Sequence, residues 1–185
     1  MTSATDPPRV LIVDDEERVG KTYDLRLSGE YDTEVVLSGD EALQMIDEDF
    51  DVVLLDRRMP GMSGDEVLEE IRKRGLDCRI VMLTAVDPDF DIAEMDMDDY
   101  VVKPVDKDEL QSVVDRALTI SEYNEQVQEL SSLKLKRNVL EVELSDAELE
   151  NSEKYQRLES EIRRLESEIE SMEDTLDIDQ VDLYL

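Results

Sequence analysis

Histidine and tryptophan are absent from this chain, and cysteine occurs once, at Cys78. Without histidine, nucleophilic catalysis by a Ser-His or Cys-His pair is excluded, and so is any metal site with an imidazole ligand. A single cysteine forms no internal disulfide and lacks the companions of a thiolate zinc site. Cys78 therefore reads as a small apolar filler beside a strand rather than a redox group. Long apolar runs are also lacking, which argues against a membrane-spanning helix. The N-terminal MTSATDPPRV has neither the charged nor the apolar region of a signal peptide, so the cytoplasm is the expected location.

Positive charge is scarce. Twenty Lys and Arg residues face 51 Asp and Glu, a net charge of −31. Such an excess repels phosphates and opposes nucleic-acid binding. Disorder would be one explanation of the acidity. The 40% apolar content falls in periodic runs, however, and favours a folded chain whose surface suits molar salt. At that ionic strength the Debye length is about 3 Å, and self-repulsion is screened.

Strand and helix patterns alternate along the first two thirds. Residues 1–8 read as a flexible leader, with Pro7-Pro8 blocking a helix. Arg9–Val13, Glu34–Leu37, Asp51–Leu55, Arg79–Leu83 and Tyr100–Val102 read as strands. Glu16–Leu27, Glu41–Ile46, Gly64–Arg74 and a helix beginning over Lys107–Ile120 read as helices, with Gly75 as a C-terminal stop and a short helix at Phe90–Met95. This order predicts an α/β domain with a parallel sheet and helices on both faces. Ligands of such sheets gather at the carboxyl ends of the strands.

That is where the chemistry-bearing residues fall. Asp14 and Asp15 end the first strand, Asp56 the third, Thr84 the fourth and Lys103 the fifth. Any one aspartate in so acidic a chain reads equally as solvated surface. The set, with a lysine and a threonine on neighbouring strand ends, reads as a pocket. Hard divalent cations take oxygen ligands, and Mg²⁺ typically binds through one or two carboxylates plus waters and phosphate. Asp15 and Asp56 are candidates for direct ligands, with Asp14 acting through water. Asp56 would be a nucleophile towards phosphorus, with Lys103 as a second positive charge and the Thr84 hydroxyl as a donor to a phosphoryl oxygen.

The motifs VDDE (Val13–Glu16), LLDRRMPGMSG (Leu54–Gly64), MLTA (Met82–Ala85) and DDYVVKP (Asp98–Pro104) carry a family resemblance. Over residues 9–120 the chain resembles the response-regulator receiver domain of two-component signalling. The resemblance implies a flavodoxin-like (βα)5 fold and a phosphoacceptor at Asp56. It implies a Mg²⁺ pocket of Asp14, Asp15, Asp56 and the backbone carbonyl of Arg58. It also implies Thr84 as switch hydroxyl, Lys103 as the phosphate-pairing lysine, Tyr100 at the aromatic switch position, and a cis Lys103-Pro104 bond. A sensor histidine kinase would be the phosphoryl donor, and self-catalysed phosphorylation and dephosphorylation the only catalysis. Thr84 and Lys103 are 19 positions apart (103 − 84), about two or three fewer than is common in the family, and Met97 stands where a glycine usually precedes DDY. A shortened fourth helix is implied, which weakens the family's dimer surface on helix 4, strand 5 and helix 5. Arg57 and Arg58 directly follow Asp56; local charge balance and control of water access are equally weighted readings.

Beyond Ser121 glycine and proline vanish, and Glu, Leu, Ser, Lys and Arg dominate, as in long helices. Leu140–Leu144 alternates like a strand, but its neighbours favour helix. Tyr155, Leu158, Ile162, Leu165, Ile169, Met172 and Leu176 recur at 3-4 spacing, and Ser145 with Glu148 fits a capping box. One helix from Asp146 to Leu176, about 45 Å long, is predicted. A second stripe comprises Tyr123, Val127, Leu130, Leu133, Leu140 and Leu144, interrupted by Arg137. A hairpin of the two segments is favoured at low salt. A homodimer through the later stripe would oppose Glu159, Glu166 and Glu173 to Glu161 and Glu168, a repulsion that molar salt screens. In the hairpin, Lys134, Lys136 and Arg137 could meet glutamates. Residues 121–185 resemble the HalX domain found after receivers in haloarchaea, on the run LEVELSDAELENSEKYQRLESEI (Leu140–Ile162). That resemblance implies an output or interaction role. A DNA-binding transcriptional regulator under the same phosphorylation is the alternative, although the one basic cluster reads more readily as solvated helix. A Mg²⁺-dependent phosphatase using Asp56 covalently is the third reading, but no substrate pocket beyond the acyl-phosphate site is apparent.

Overall fold

The computed structural model describes residues 6–85 and 95–176. The short helix expected at Phe90–Met95 falls almost wholly outside them. Five strands, β1 (Arg9–Val13), β2 (Asp32–Val36), β3 (Val52–Asp56), β4 (Arg79–Thr84) and β5 (Asp99–Val102), pair in the order β2-β1-β3-β4-β5, all parallel. Three helices, α1 (Glu17–Leu27), α2 (Gly39–Met45) and α3 (Gly64–Lys73), separate them in the chain, and α4 (Lys107–Glu143), α5 (Asp146–Glu150) and α6 (Glu153–Thr175) follow. The chain divides into two compact units, Met1–Leu118 and Thr119–Leu185.

In the first unit, both faces of the sheet are buried. Successive strand residues point to opposite sides. Val10 and Ile12 of β1, Leu54 of β3 and Leu83 of β4 therefore pack with Leu27 of α1 and Leu110 and Val114 of α4. Leu11, Val13, Leu55 and Met82 pack on the other side with Ala42 of α2 and Val67 and Ile71 of α3. That is why the central strands read as continuous apolar runs. β2 starts two residues before its expected Glu34 because Asp32 pairs with Arg9. As an edge strand it tolerates half-exposed Thr33 and Glu34.

Helix α3 shows how the local chemistry places an element. Ser63 and Glu66 form a capping box at its start, and Gly75 ends it with φ +71°. Asp98 then anchors the entry to β5. It accepts from Arg72 of α3 at 2.6 Å, from Arg79 at 2.7 Å and from the Ile80 backbone at 2.7 Å. Cys78 is buried beside β4, as expected, and burial pushes its thiol up to about 11.

The second unit is a helical hairpin. Tyr123 bonds Glu173, Lys134 pairs with Glu166, Arg137 with Glu159, and Glu141 with Tyr155. Partner numbers fall as the α4 numbers rise, so α6 runs antiparallel to α4. Ile162, Leu165, Ile169 and Leu176 are buried. Two of the three expected cations meet glutamates; Lys136 is exposed. The single helix expected from Asp146 is corrected, because it breaks at Asn151–Ser152. There the Asn151 amide donates to the Ala147 carbonyl at 2.7 Å, and the Ser152 hydroxyl caps the Tyr155 N–H at 3.3 Å. Such short polar side chains compete with the helical backbone bonds. The Ser145–Glu148 box forms, with the Glu148 carboxylate accepting from the Ser145 backbone at 3.0 Å.

Leu54 is fully buried in the central strand, whereas Leu25 is 80% exposed. Leu54→Ala is expected to cost about 2–5 kcal/mol, and Leu25→Ala less than about 0.5 kcal/mol. Urea denaturation at constant KCl measures both.

Candidate functional site

At the carboxyl end of the sheet, backbone register alone brings four groups together. Asp14 follows β1 directly, Asp56 closes β3, Thr84 closes β4, and Lys103 follows β5. Strand order reverses between β1 and β3, and the crevice of an open α/β sheet forms at that point. The Arg57 N–H bonds the Leu83 carbonyl at 3.1 Å, and the Lys103 N–H bonds the Thr84 carbonyl at 2.7 Å, so the loops leave the sheet side by side. Helix α3 starts hard against this end. A Cβ on Gly64 would lie 2.3 Å from the Asp56 carbonyl, so only glycine lets the helix approach so closely.

The carboxylates of Asp14, Asp15 and Asp56 each offer an oxygen within 4.8 Å of the others. Among the described residues no other cluster of this kind occurs. Asp14 and Asp56 are buried, and Asp15 is exposed. Lys103 reaches across, with Nζ 2.6 Å from Asp14 Oδ2 and 3.1 Å from Asp56 Oδ1. The second Asp14 oxygen accepts from the Glu16 backbone N–H at 2.9 Å, which fixes its orientation.

Burial raises Asp56 above the usual carboxylate range, and Asp14 adds to the rise; Lys103 and the Arg58 N–H oppose it. Burial lowers Lys103, but Asp14 and Asp56 more than offset that, so its charge is held above the ordinary lysine value. Three carboxylates against one ammonium leave two negative charges at the mouth (3 − 1 = 2). Hard oxygen donors with that residual charge fit a divalent cation such as Mg²⁺.

Thr84 is fully buried at the end of β4. Tyr100 is half-buried, sits opposite Met82 in the register of β5, and packs with the α2–α3 side of the core. The Lys103-Pro104 bond is cis, as the resemblance implied. Arg58 points its side chain to solvent. Arg57 behaves differently and was not legible in the sequence. Its guanidinium bonds both oxygens of Asp65, at 3.1 and 3.3 Å, and also bonds Tyr100. The residue beside Asp56 is thus tied to the first turn of α3 and to the aromatic of β5. Asp65 lies eight positions on, and no spacing rule announces that partner.

A model of the response regulator receiver domain matches residues 10–115. The chain belongs to the response regulator receiver family. A model of the HalX domain matches residues 119–183. The receiver is similar to a solved CheY-like receiver domain protein from Methanospirillum hungatei, with 27% identity and a TM-score of 0.60 over 63% of this chain and 98% of that one. It is also similar to the response regulator TrrA of Thermotoga maritima, solved with Mg²⁺ and BeF, with 37% identity and a TM-score of 0.53 over 60% of this chain and 99% of that one. A Haloferax volcanii protein described as a candidate transcriptional regulator is 50% identical over 125 residues, 67% of this chain. The chain spans about a fifth (22%) of that relative's length. No described helix is long and apolar enough to cross a membrane.

The raised Asp56 carboxyl sets a pH dependence. Its contribution to stability is fully present below the unfolded aspartate value, about 4, and is lost as pH rises through the higher folded value. Asp56→Asn removes that loss. In metal-free buffer the variant should melt above the wild type at neutral pH, and the difference should vanish below about pH 4. Thermal melts across pH measure it; a pH-independent difference would refute the electrostatic account.

Proposed function

We propose that the chain is a phosphorylation-controlled regulator in which Asp56 takes a phosphoryl group from a sensor histidine kinase. One observation carries this reading: Lys103 touches Asp14 and Asp56 at once, inside a cluster of three carboxylates. Asp14, Asp15, Asp56 and the backbone carbonyl of Arg58 would hold Mg²⁺. When bound, the ion neutralises charge on the phosphoryl oxygens and on the cluster. An Asp56 oxygen attacks phosphorus as the bond to the donor breaks, and the donor leaves with that bonding pair. The product is an acyl phosphate. Lys103 then has a phosphoryl oxygen to pair with in place of Asp56, and the Thr84 hydroxyl donates to another.

The switch follows from the same groups. A phosphoryl group at Asp56 draws Thr84 inward, and the space it vacates is open to Tyr100. Residues 9–120 act as the receiver and residues 121–185 as the helical output. The TrrA complex with Mg²⁺ and BeF supports a Mg²⁺ site. A phosphoryl group supplied by a kinase would suit a cytoplasmic protein. The Haloferax relative's description favours a transcriptional output. The acidic surface points to a protein partner rather than to direct contact with DNA.

Incubation with acetyl phosphate and Mg²⁺, followed by mass spectrometry, tests the acceptor. Wild type should gain one phosphoryl group on Asp56, and Asp56→Asn none; uptake by Asp56→Asn at the wild-type rate would overturn the assignment. Mg²⁺ at about a hundred times its dissociation constant should stabilise the wild type by about 2.7 kcal/mol. Asp15→Asn should abolish most of that gain, as read by melting with and without the ion.

A further inference from the structure

Helix α4 carries a second face in the C-terminal unit, turned away from α6. Gln128, Ser132, Leu135, Val139 and Val142 recur on it at 4-3-4-3 spacing, and every one is exposed. Leu135 is 66% exposed, Val139 55% and Val142 82%. These are three of the eight large hydrophobics exposed among the described residues. None of the five carries charge, in a chain that is 38% charged residues with a net charge of −31. Residues 130–140 contain no acid at all and three bases. The stripe on α6 at comparable spacing is already buried against α4. A solvated helix face in this protein looks like the back of α6, which is lined with Glu and Arg. The outer stripe of α4 does not.

We infer that this stripe is the seam of a homodimer, in which two copies pack α4 against α4 in parallel and in register. Its spacing places Ser132 and Val139 at heptad position a, and Gln128, Leu135 and Val142 at d. In a parallel pair, each e residue faces the g residue of the partner's preceding heptad. The e residues are Glu129, Lys136 and Glu143, and their opposites are Asn124, Ser131 and Asn138. No like charges meet. An antiparallel seam that layers Leu135 on Val139 would instead set Glu129 across from Glu143. A highly charged partner would lose hydration along the five uncharged positions without gaining a counter-charge at them. A second copy brings the matching uncharged stripe. The seam has three apolar layers, so the dimer is weak at low salt. Molar salt screens the net repulsion between two acidic chains and strengthens apolar contact.

Sedimentation of the full chain in molar KCl, from micromolar to millimolar concentration, should show a monomer–dimer equilibrium. Val139→Asp should raise the dissociation constant at least about tenfold while the circular dichroism stays unchanged. Val139→Ser, which is milder, should shift it in the same direction. Oxidised Leu135→Cys should give a disulfide-linked dimer, and Lys154→Cys, on α6, should not. A monomer at every concentration would overturn the proposal, as would a dimer untouched by Val139→Asp. A dimer without Leu135→Cys cross-linking would overturn the parallel register.

Discussion

One ammonium group between two buried carboxylates organises the receiver. Lys103 lies 2.6 Å from Asp14 and 3.1 Å from Asp56, with Asp15 at the mouth. Two buried like charges at this separation repel strongly, and the effect grows as water is excluded. The lysine offsets part of that repulsion, and the strand ends hold the groups in place regardless. The cluster therefore keeps a surplus of negative charge at a fixed point. A cation and a phosphoryl group can each relieve it, and the proposed chemistry draws on that.

Other half-buried cations stand at neighbouring joints of the receiver. Arg57 joins Asp65 at the start of α3 to Tyr100 on β5, next to the proposed acceptor. Arg72 and Arg79 converge on Asp98, where the chain enters β5. Arg116 pairs with Asp99 one residue later. With 20 basic residues against 51 acidic ones, there are too few cations to pair each carboxylate one to one. The partly buried pairs matter most, because exposed ones contribute little in salt. Arginine suits these positions, since its planar fork binds a carboxylate through two donors. Arg57 thus links the start of α3 to β5 beside the site.

The C-terminal hairpin meets its acidity differently. Its α6 carries glutamates along both edges of the buried stripe, and cross-helix contacts from Lys134, Arg137 and Tyr123 meet three of them. Apolar burial of Ile162, Leu165 and Ile169 supplies the rest. The uncharged outer face of α4 stands apart from that pattern, which is why it reads as a contact surface rather than as a solvated one.

Much of the receiver was legible along the chain. Short apolar runs located the strands, because a sheet covered on both faces demands them. Strand-end positions singled out Asp14, Asp15, Asp56, Thr84 and Lys103 as candidates, because a parallel sheet delivers strand ends to one edge; Tyr100 came from the family resemblance. The pairing of Arg57 with Asp65 and Tyr100, and of Arg72 and Arg79 with Asp98, was not legible, since those partners meet only after the elements pack. The break at Asn151–Ser152 was missed because the hydrophobic repeat runs through it unchanged; local side-chain bonds, not the repeat, end the helix there. By itself, then, the sequence determined the alternation of elements, the acidity and which acidic, hydroxyl and lysine side chains stand at strand ends, all of which are local or periodic properties. Tertiary structure alone decided which cations meet which carboxylates and which face of α4 stays bare, because those depend on distances across elements that no spacing along the chain encodes.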